Sequence, residues 1–156
     1  MRFGAGDETQ ACAGRELLDA FAALATERGD FPWHVAFHPY PEDLFDCRFW
    51  DDESAWPTAD SPRVTFKNLS VLTDYLGREA LLHDGKARRV ILSEQGFHCP
   101  DGPEGERLQA LAFARAWEIV DGLDGIDAFL YHRHVDHAGE GGLRFGLWET
   151  KPGTVF

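Results

Sequence analysis

The sequence predicts an α/β fold built around a parallel sheet, and three observations support this. Segments with helical spacing of apolar residues alternate with short segments rich in β-branched and aromatic residues. The 156 residues, 44% of them hydrophobic, are enough for one domain with a real core. Polar side chains suited to chemistry follow the predicted strands, whereas the turns that precede the strands are ordinary polar turns. Helices that alternate with strands form right-handed crossovers, so we expect the strands to run parallel.

The first helix is predicted over residues 8–28 and the first strand over residues 33–38. A broad apolar stripe that begins at Leu17 predicts the helix, and Gly29 is a natural stop after it. The run WHVAFH is short and rich in aromatic and β-branched residues, which is typical of a strand. Pro39 ends this strand because proline cannot donate a hydrogen bond to the sheet.

A long segment, residues 39–66, follows the first strand. It is rich in proline and acidic residues and has no clear period. A loop of this length in a compact domain is usually functional. Its aromatic residues are Tyr40, Phe45, Phe49, Trp50 and Trp56. We expect these rings either to cover one end of the core or to line a binding site.

The alternation continues to the end of the chain within a single domain, residues 1–156. Apolar spacing predicts, in order, a helix over 69–83, a strand over 89–94, a helix over 105–121 and a strand over 126–132. Asn68 or Ser70 is expected to cap the first of these helices. A further short strand is a candidate over residues 143–148.

Charge and composition exclude several classes of partner. The net charge of −12 would repel a phosphate backbone, so nucleic acid is not expected as a partner. No apolar run approaches the roughly 20 residues that span a bilayer, so no membrane partner is expected. No glycine-rich phosphate loop follows a strand, and no cofactor is predicted. Three widely spaced cysteines and the lack of an apolar leader favour a cytoplasmic protein, unless a signal peptide lies upstream.

Chemically useful side chains cluster after the predicted strands, at the edge where parallel β/α arrays bind ligands. They are His38 and Tyr40, then Glu94, Gln95 and His98, then His132, Arg133, His134, Asp136 and His137. The two-residue period of a strand would place Glu94 in one inward row with Val90 and Leu92. A carboxylate there needs a partner, and Arg133 or a histidine is expected to supply it. Glu94 is then either a catalytic group or an ion-pair anchor for Arg133.

These motifs carry a family resemblance. A strand that ends in ILSEQGF resembles the seventh strand of retaining glycoside hydrolases with a (β/α)8 barrel, which ends in the catalytic glutamate. The set HPYPEDLF, ILSEQGFH, YHRHVDH and FGLW is similar to a bacterial group of hydrolase-like barrels. The resemblance covers the chain from about residue 30 onward. It implies parallel β/α units that form the C-terminal half of a TIM-type (β/α)8 barrel.

The resemblance also implies roles for particular residues. Glu94 would be the nucleophile that forms a glycosyl-enzyme intermediate with a carbohydrate ligand. The implied substrate-binding residues are His38, Tyr40, Trp50, His98, His132, Arg133, Asp136 and Trp148. Trp50, Trp56 or Trp148 would stack on a sugar ring. No metal ligand is implied.

The chain departs from the family pattern in one respect. A retaining glycosidase needs a second carboxylic acid roughly 5 Å from the nucleophile, and no Asn-Glu-Pro motif supplies it here. A complete barrel takes about 250 residues. We therefore expect the chain to be incomplete by itself and to pair with a missing N-terminal barrel half or with a second copy.

Two other functions are open at this stage. A metal-dependent hydrolase would use the cluster His132, His134, Asp136 and His137, because imidazoles with a carboxylate suit zinc, manganese or iron. A non-catalytic half-barrel would function by assembly, because an open parallel sheet leaves unpaired edges and an uncovered face.

Overall fold

The structure is a computed structural model that describes residues 12–149. Its helices are α1 (Gly14–Glu27), α2 (Ser70–Leu76) and α3 (Pro103–Asp121), and its strands are β1 (Val35–Phe37), β2 (Val90–Gln95) and β3 (Ile126–Tyr131). Short 3-10 turns occupy Phe49–Asp51, Phe66–Asn68 and Glu79–Leu81. The strands form one three-stranded parallel sheet in the order β1-β2-β3. The predicted α/β class with a parallel sheet is confirmed.

Several predicted boundaries differ from the observed ones. The helix predicted over 8–28 begins at Gly14, and the part of that prediction before residue 12 lies outside the described residues. The helix predicted over 69–83 ends at Leu76 because Arg78 has an extended backbone, with ψ at 142°. The prediction treated the apolar residues on both sides of this break as one helix.

Two local predictions are wrong for identifiable reasons. Asn68 does not cap α2; its side-chain oxygen accepts a hydrogen bond from the Thr65 backbone N–H, 2.9 Å away, within the preceding 3-10 turn. Residues 143–148 do not form a strand, and Trp148 makes a single isolated bridge with Val135. The glycines around this segment allow it to fold back as a loop instead of joining the sheet.

The helices cover one face of the sheet and enclose the core. Val90 and Leu92 of β2 are fully buried there, as is Phe37 of β1. Three phenylalanine rings close the carboxyl end of the core, with centroids 5.5–5.9 Å apart: Phe49, Phe66 and Phe97. Part of the long loop thus covers the core, whereas Phe45 and Trp56 of the same loop are exposed.

Within the described residues, the other face of the sheet is open. The alternate strand positions Ala36 and Leu130 are exposed, and Ile91 is half-buried. At the amino end of the sheet, His34 Nε2 lies 3.1 Å from Asp127 Oδ2. Parallel sheets are normally covered on both faces, and residues 12–149 supply no second layer for this surface.

A buried carboxylate lies inside the long loop. Asp52 is 5% exposed, its Oδ1 accepts a hydrogen bond from the Glu42 backbone N–H (3.2 Å), and its buried Oδ2 has no hydrogen-bond partner of ordinary geometry. Burial raises the pKa of Asp52, and the Glu42 charge adds to that effect, while Thr65 and Lys67 act against it. Folding therefore shifts Asp52 towards its protonated form relative to the unfolded chain.

We expect Asp52→Asn to stabilise the fold at neutral pH by about 1 kcal/mol. A carboxyl group with a raised folded-state pKa loses stability as the pH rises above its unfolded pKa and through its folded pKa. The amide cannot ionise, so the advantage of the variant should grow between pH 4 and pH 7. Urea unfolding of both proteins across this range measures the difference, and parallel stability profiles would contradict the account.

Candidate functional site

The central strand β2 ends in a β-bulge. Leu92 pairs with Phe129 and Gln95 pairs with Tyr131, so two residues of β2 lie opposite one residue of β3. The bulge places Gln95, which is fully buried, in the inward row, whereas Glu94 is only half-buried. The predicted inward row ending in Glu94 is therefore wrong. Glu94 lies instead at the carboxyl edge of the sheet, where its carboxylate reaches residues of neighbouring loops.

Residues that follow β1 hold the end of β2. The Tyr40 hydroxyl donates a hydrogen bond to Glu94 Oε1, with an O–O distance of 3.0 Å. His38 Nε2 lies 3.0 Å from the hydroxyl of Ser93. Burial of Tyr40 and its hydrogen bond to the Glu94 carboxylate raise the pKa of the Tyr40 phenol. Tyr40 therefore keeps its proton and remains a donor at neutral pH.

Aromatic rings form a wall beside Glu94. The Tyr40 ring packs against Phe145, with centroids 5.6 Å apart, and meets the His38 ring edge-on. His132 also contacts Phe145, edge-on, with centroids 6.2 Å apart. Phe145 is buried and fixes both neighbours. Residues from all three strand ends thus meet at one edge, as the asymmetry of the sequence predicted.

Gly96 allows the segments after β2 and β3 to approach closely. The His132 N–H donates a hydrogen bond to the Gln95 carbonyl oxygen, 2.7 Å away, just beyond the end of β3. A Cβ atom on Gly96 would lie 2.0 Å from the His132 carbonyl oxygen and 3.0 Å from the Phe145 side chain. Only glycine fits here, because any side chain would push the His132 segment away from Glu94.

Arg133 does not hold Glu94, in contrast to the prediction. Its Nη1 lies 3.0 Å from Oε1 of Glu140, and His132 Nε2 lies 3.8 Å from the same oxygen. The Glu140 charge is also among the causes that raise the pKa of Tyr40. A second carboxylate is therefore connected to Tyr40 through His132 and Phe145. Sequence reasoning missed Glu140 because it lies in a glycine-rich turn and not directly after a strand. The only signal for it in the sequence is an acidic residue among glycines.

His98 lies at the same edge but serves another contact. Its Nδ1 accepts a hydrogen bond from the Arg144 backbone N–H at 3.0 Å, and its ring packs edge-on against Phe45. Burial, with a smaller contribution from the Arg144 charge, lowers the pKa of His98. The imidazole is therefore neutral at pH 7, as an acceptor of this hydrogen bond must be.

The structure does not bring three predicted site residues to Glu94. Asp136 Oδ1 accepts a hydrogen bond from the Gly146 N–H, 2.7 Å away, and so holds the C-terminal segment. Trp50 lies under the guanidinium group of Arg115, 4.2 Å from the ring centroid. Trp148 is 66% exposed, and with Asp136 it borders a cavity of about 400 Å³ against α3. These residues were assigned on residue type, which does not show the direction of a side chain.

The proposed metal ligands diverge. His137 Nδ1 accepts a hydrogen bond from Gly139 N–H, and Asp136 accepts one from Gly146. His132 faces Glu140. Within residues 12–149, no group of three or more histidine, cysteine or acidic side chains is arranged to hold a metal ion. The alternative hydrolase built on His132, His134, Asp136 and His137 therefore lacks an assembled site.

A larger cavity, about 770 Å³, lies at the amino ends of the strands. Trp33, His34, Arg88 and Arg89 are among its lining residues. Arg88 is buried and fully engaged, since it binds the Asp30 carboxylate and two backbone carbonyl groups. This cavity is at the opposite edge from Glu94, and Arg88, Arg89 and His34 in its lining are all engaged in ion pairs with aspartates.

Together the fold and the site define an α/β protein with a half-buried carboxylate held at the carboxyl edge of a parallel sheet. The chain belongs to a family of unknown function, DUF5722, which matches residues 4–155. No curated protein and no solved structure matches it significantly. None of the helices in the described residues is long and apolar enough to cross a bilayer.

Proposed function

We propose that this chain supplies the carboxylate nucleophile of a retaining glycoside hydrolase, with Glu94 in that role. The observation that carries the proposal is the hydrogen bond from the Tyr40 hydroxyl to Glu94 Oε1, at the end of the central strand. It fixes a half-buried carboxylate at the edge where β/α arrays bind ligands. If Glu94 were only an ion-pair anchor, it would contact Arg133. Arg133 pairs with Glu140 instead, which favours the catalytic interpretation of Glu94.

Glu94 would act by forming and then losing a covalent bond to the substrate. One carboxylate oxygen attacks the anomeric carbon and the glycosidic oxygen leaves, which produces a glycosyl-enzyme ester; water then cleaves the ester with net retention of configuration. Tyr40 holds Oε1, and Oε2 has no hydrogen bond within the described residues, so Oε2 is the oxygen that would attack. His38, His132 and Arg133 offer donors for sugar hydroxyl groups around it.

The reaction also needs a proton donor for the leaving group. Glu140 is engaged in an ion pair with Arg133, which suits a carboxylate that positions its neighbours. We therefore assign the proton donor to strands outside residues 12–149. On this proposal, the chain is the C-terminal half of a TIM-type (β/α)8 barrel. Its active site becomes complete only with the rest of the barrel.

The flanks of the array support further β/α units on both sides. Helix α1 exposes apolar residues at helical spacing, namely Leu17, Ala20, Phe21 and Leu24. Helix α3 does the same on the opposite flank with Ala110, Leu111, Ala114 and Trp117. Such stripes usually pack against another helix. Next to them, the outer edges of β1 and β3 pair with no other strand in the described part of the chain and offer hydrogen-bonding positions for added strands.

Residues 1–156 expressed alone are therefore expected to self-associate or to bind a hydrophobic dye. Light scattering after size-exclusion chromatography measures the mass, and Phe21→Gln with Trp117→Gln should reduce association. A monomer that unfolds cooperatively and binds no dye would contradict the barrel proposal. The same surfaces support the alternative function, a non-catalytic half-barrel that acts by assembly, and hydrolysis assays separate the two.

The chemical test uses the full-length protein, which on this proposal contains residues 1–156 together with the rest of the barrel. Its substrates are a panel of aryl α- and β-glycosides. We expect hydrolysis of at least one sugar class, with the anomeric configuration of the first product retained in proton NMR. The configuration is informative because a displacement through Glu94 requires two inversions. Inversion at the anomeric carbon, or no hydrolysis with any member of the panel, would contradict the proposed function.

A further inference from the structure

We propose that Phe45 is the aromatic platform of a second sugar subsite beside Glu94, so that the preferred substrate is an oligosaccharide or polysaccharide. This inference rests on the proposed function and adds a substrate class to it. The sequence suggested Trp50, Trp56 or Trp148 for this role. The structure favours Phe45 instead, on three grounds: its exposure, its fixed orientation and its connection to the Glu94 site.

Phe45 is exposed but held in place. Its side chain is 53% exposed. Its backbone N–H donates a hydrogen bond to Asp43 Oδ1 at 2.9 Å, and the Asp46 N–H bonds the Asp43 carbonyl oxygen at 3.2 Å, so the turn that carries the ring is closed. His98 meets the ring edge-on, with centroids 5.2 Å apart. An exposed ring held this way loses little conformational entropy when a ligand covers it.

Phe45 is connected to the aromatic wall beside Glu94. His98, which contacts the Phe45 ring, accepts a hydrogen bond from Arg144, the residue before Phe145. The Phe145 ring contacts Tyr40, and Tyr40 binds Glu94. A chain of contacts, which includes the backbone of Arg144 and Phe145, therefore connects Phe45 to Glu94.

The glycine-rich turn that contains Glu140 and Gly142 also approaches the Phe45 ring. Phe45 Cε1 lies 3.9 Å from the position that a Cβ atom on Gly142 would occupy, so the ring faces bare backbone there. Gly142 follows Glu140 by two residues, and Glu140 forms an ion pair with Arg133. The turn thus spans from the ion pair near Glu94 to the Phe45 ring.

The tryptophans named from the sequence are placed less well. Trp50 is covered by Arg115, and Trp148 lies against α3 beside another cavity. Trp56 is exposed, but its ring N–H is bonded to the Glu53 carbonyl oxygen at 3.1 Å, and no ring contact or hydrogen bond in residues 12–149 joins its ring to the wall.

The chemistry of the ring selects the ligand. A phenyl face carries the negative part of the aromatic quadrupole, which attracts the C–H groups on the apolar face of a pyranose. No contact joins Phe45 to Glu94 directly in residues 12–149; the contacts between them run through His98, the Arg144–Phe145 backbone and Tyr40. A substrate that uses both must have at least one sugar unit beyond the one that is attacked.

The test separates binding from hydrolysis. Calorimetry measures the affinity of the full-length Glu94→Gln protein, which should not turn substrate over, for cellohexaose, xylohexaose, mannohexaose and laminarihexaose. Adding Phe45→Ala is expected to weaken binding of the preferred hexasaccharide by about tenfold. Phe45→Tyr should retain affinity, and Trp56→Ala and Trp148→Ala serve as matched aromatic controls with unchanged affinity.

Kinetics on the protein with Glu94 intact give the second readout. Phe45→Ala should lower kcat/KM for the hexasaccharide about tenfold and leave kcat/KM for an aryl monoglycoside within about twofold. Equal loss on both substrates, no loss on either, or no hexasaccharide binding to the Glu94→Gln protein would overturn the inference. Hexasaccharide binding that depends on Phe45, without hydrolysis by the intact protein, would retain the subsite and reject the proposed catalytic function.

Discussion

Glu94→Gln is expected to lower kcat for glycoside hydrolysis by about 10⁴-fold or more in the full-length protein. An amide cannot form the glycosyl ester, so the route through a covalent intermediate is lost, and changes of this size are typical when a nucleophile is removed. Folding should not change, because glutamine keeps the shape of the side chain and its amide oxygen still accepts the hydrogen bond from Tyr40. Steady-state kinetics with an activated aryl glycoside measure the loss.

Glu140→Gln is the matched control for this prediction. Glu140 is the other carboxylate near Tyr40, and its partners are Arg133 and His132. If it positions these donors, the substitution should cost about 10- to 100-fold and act partly on KM. A Glu94→Gln protein that keeps most of its activity, while Glu140→Gln is inactive, would transfer the nucleophile role to Glu140.

Gly96→Ala is expected to destabilise the fold by roughly 3 kcal/mol or more. The new methyl group would lie 2.0 Å from the His132 carbonyl oxygen, and this oxygen belongs to backbone that is hydrogen-bonded to Gln95. The clash can be relieved only if the segment after β3 moves away from β2. Urea unfolding measures the stability, and the same displacement should reduce activity in any protein that remains folded.

Gly77→Ala is a control for the loss of a glycine as such. Its φ is −77°, and an added Cβ would meet the Asp74 and Thr73 carbonyl oxygens at 3.3 and 3.7 Å, at the end of α2. We expect a change within about 1 kcal/mol. Equal stability changes in the two variants would show that the close approach at Gly96 does not hold the site together.

The order of helices and strands was readable from the sequence because each element has its own local pattern. The apolar spacing of α3 and the β-branched run of β2 persist over enough residues to decide the element type. The bulge in β2 has no such pattern. It depends on how Leu92 and Gln95 pair with β3, and it moved Glu94 out of the inward row that simple alternation predicts.

The site was predictable in its location but not in its contacts. The carboxyl ends of parallel strands share one edge, so grouping His38, Tyr40 and Glu94 required only the strand assignments. The partner of Arg133 was not predictable, because Glu140 reaches it through a turn whose path depends on tertiary packing. For the same reason Phe45 could not be chosen over the tryptophans from residue type alone.

The most direct test of the central claim, that Glu94 is the nucleophile, is trapping of the covalent intermediate. The full-length protein is incubated with 2-deoxy-2-fluoroglycosyl fluorides of the sugars that it hydrolyses, and intact mass and peptide fragmentation are measured. We predict the addition of one fluorosugar per protein molecule, on the peptide that contains Glu94, and no addition to Glu94→Gln. An active protein that is labelled at another residue, or that turns over the sugars without any labelling, would contradict the account.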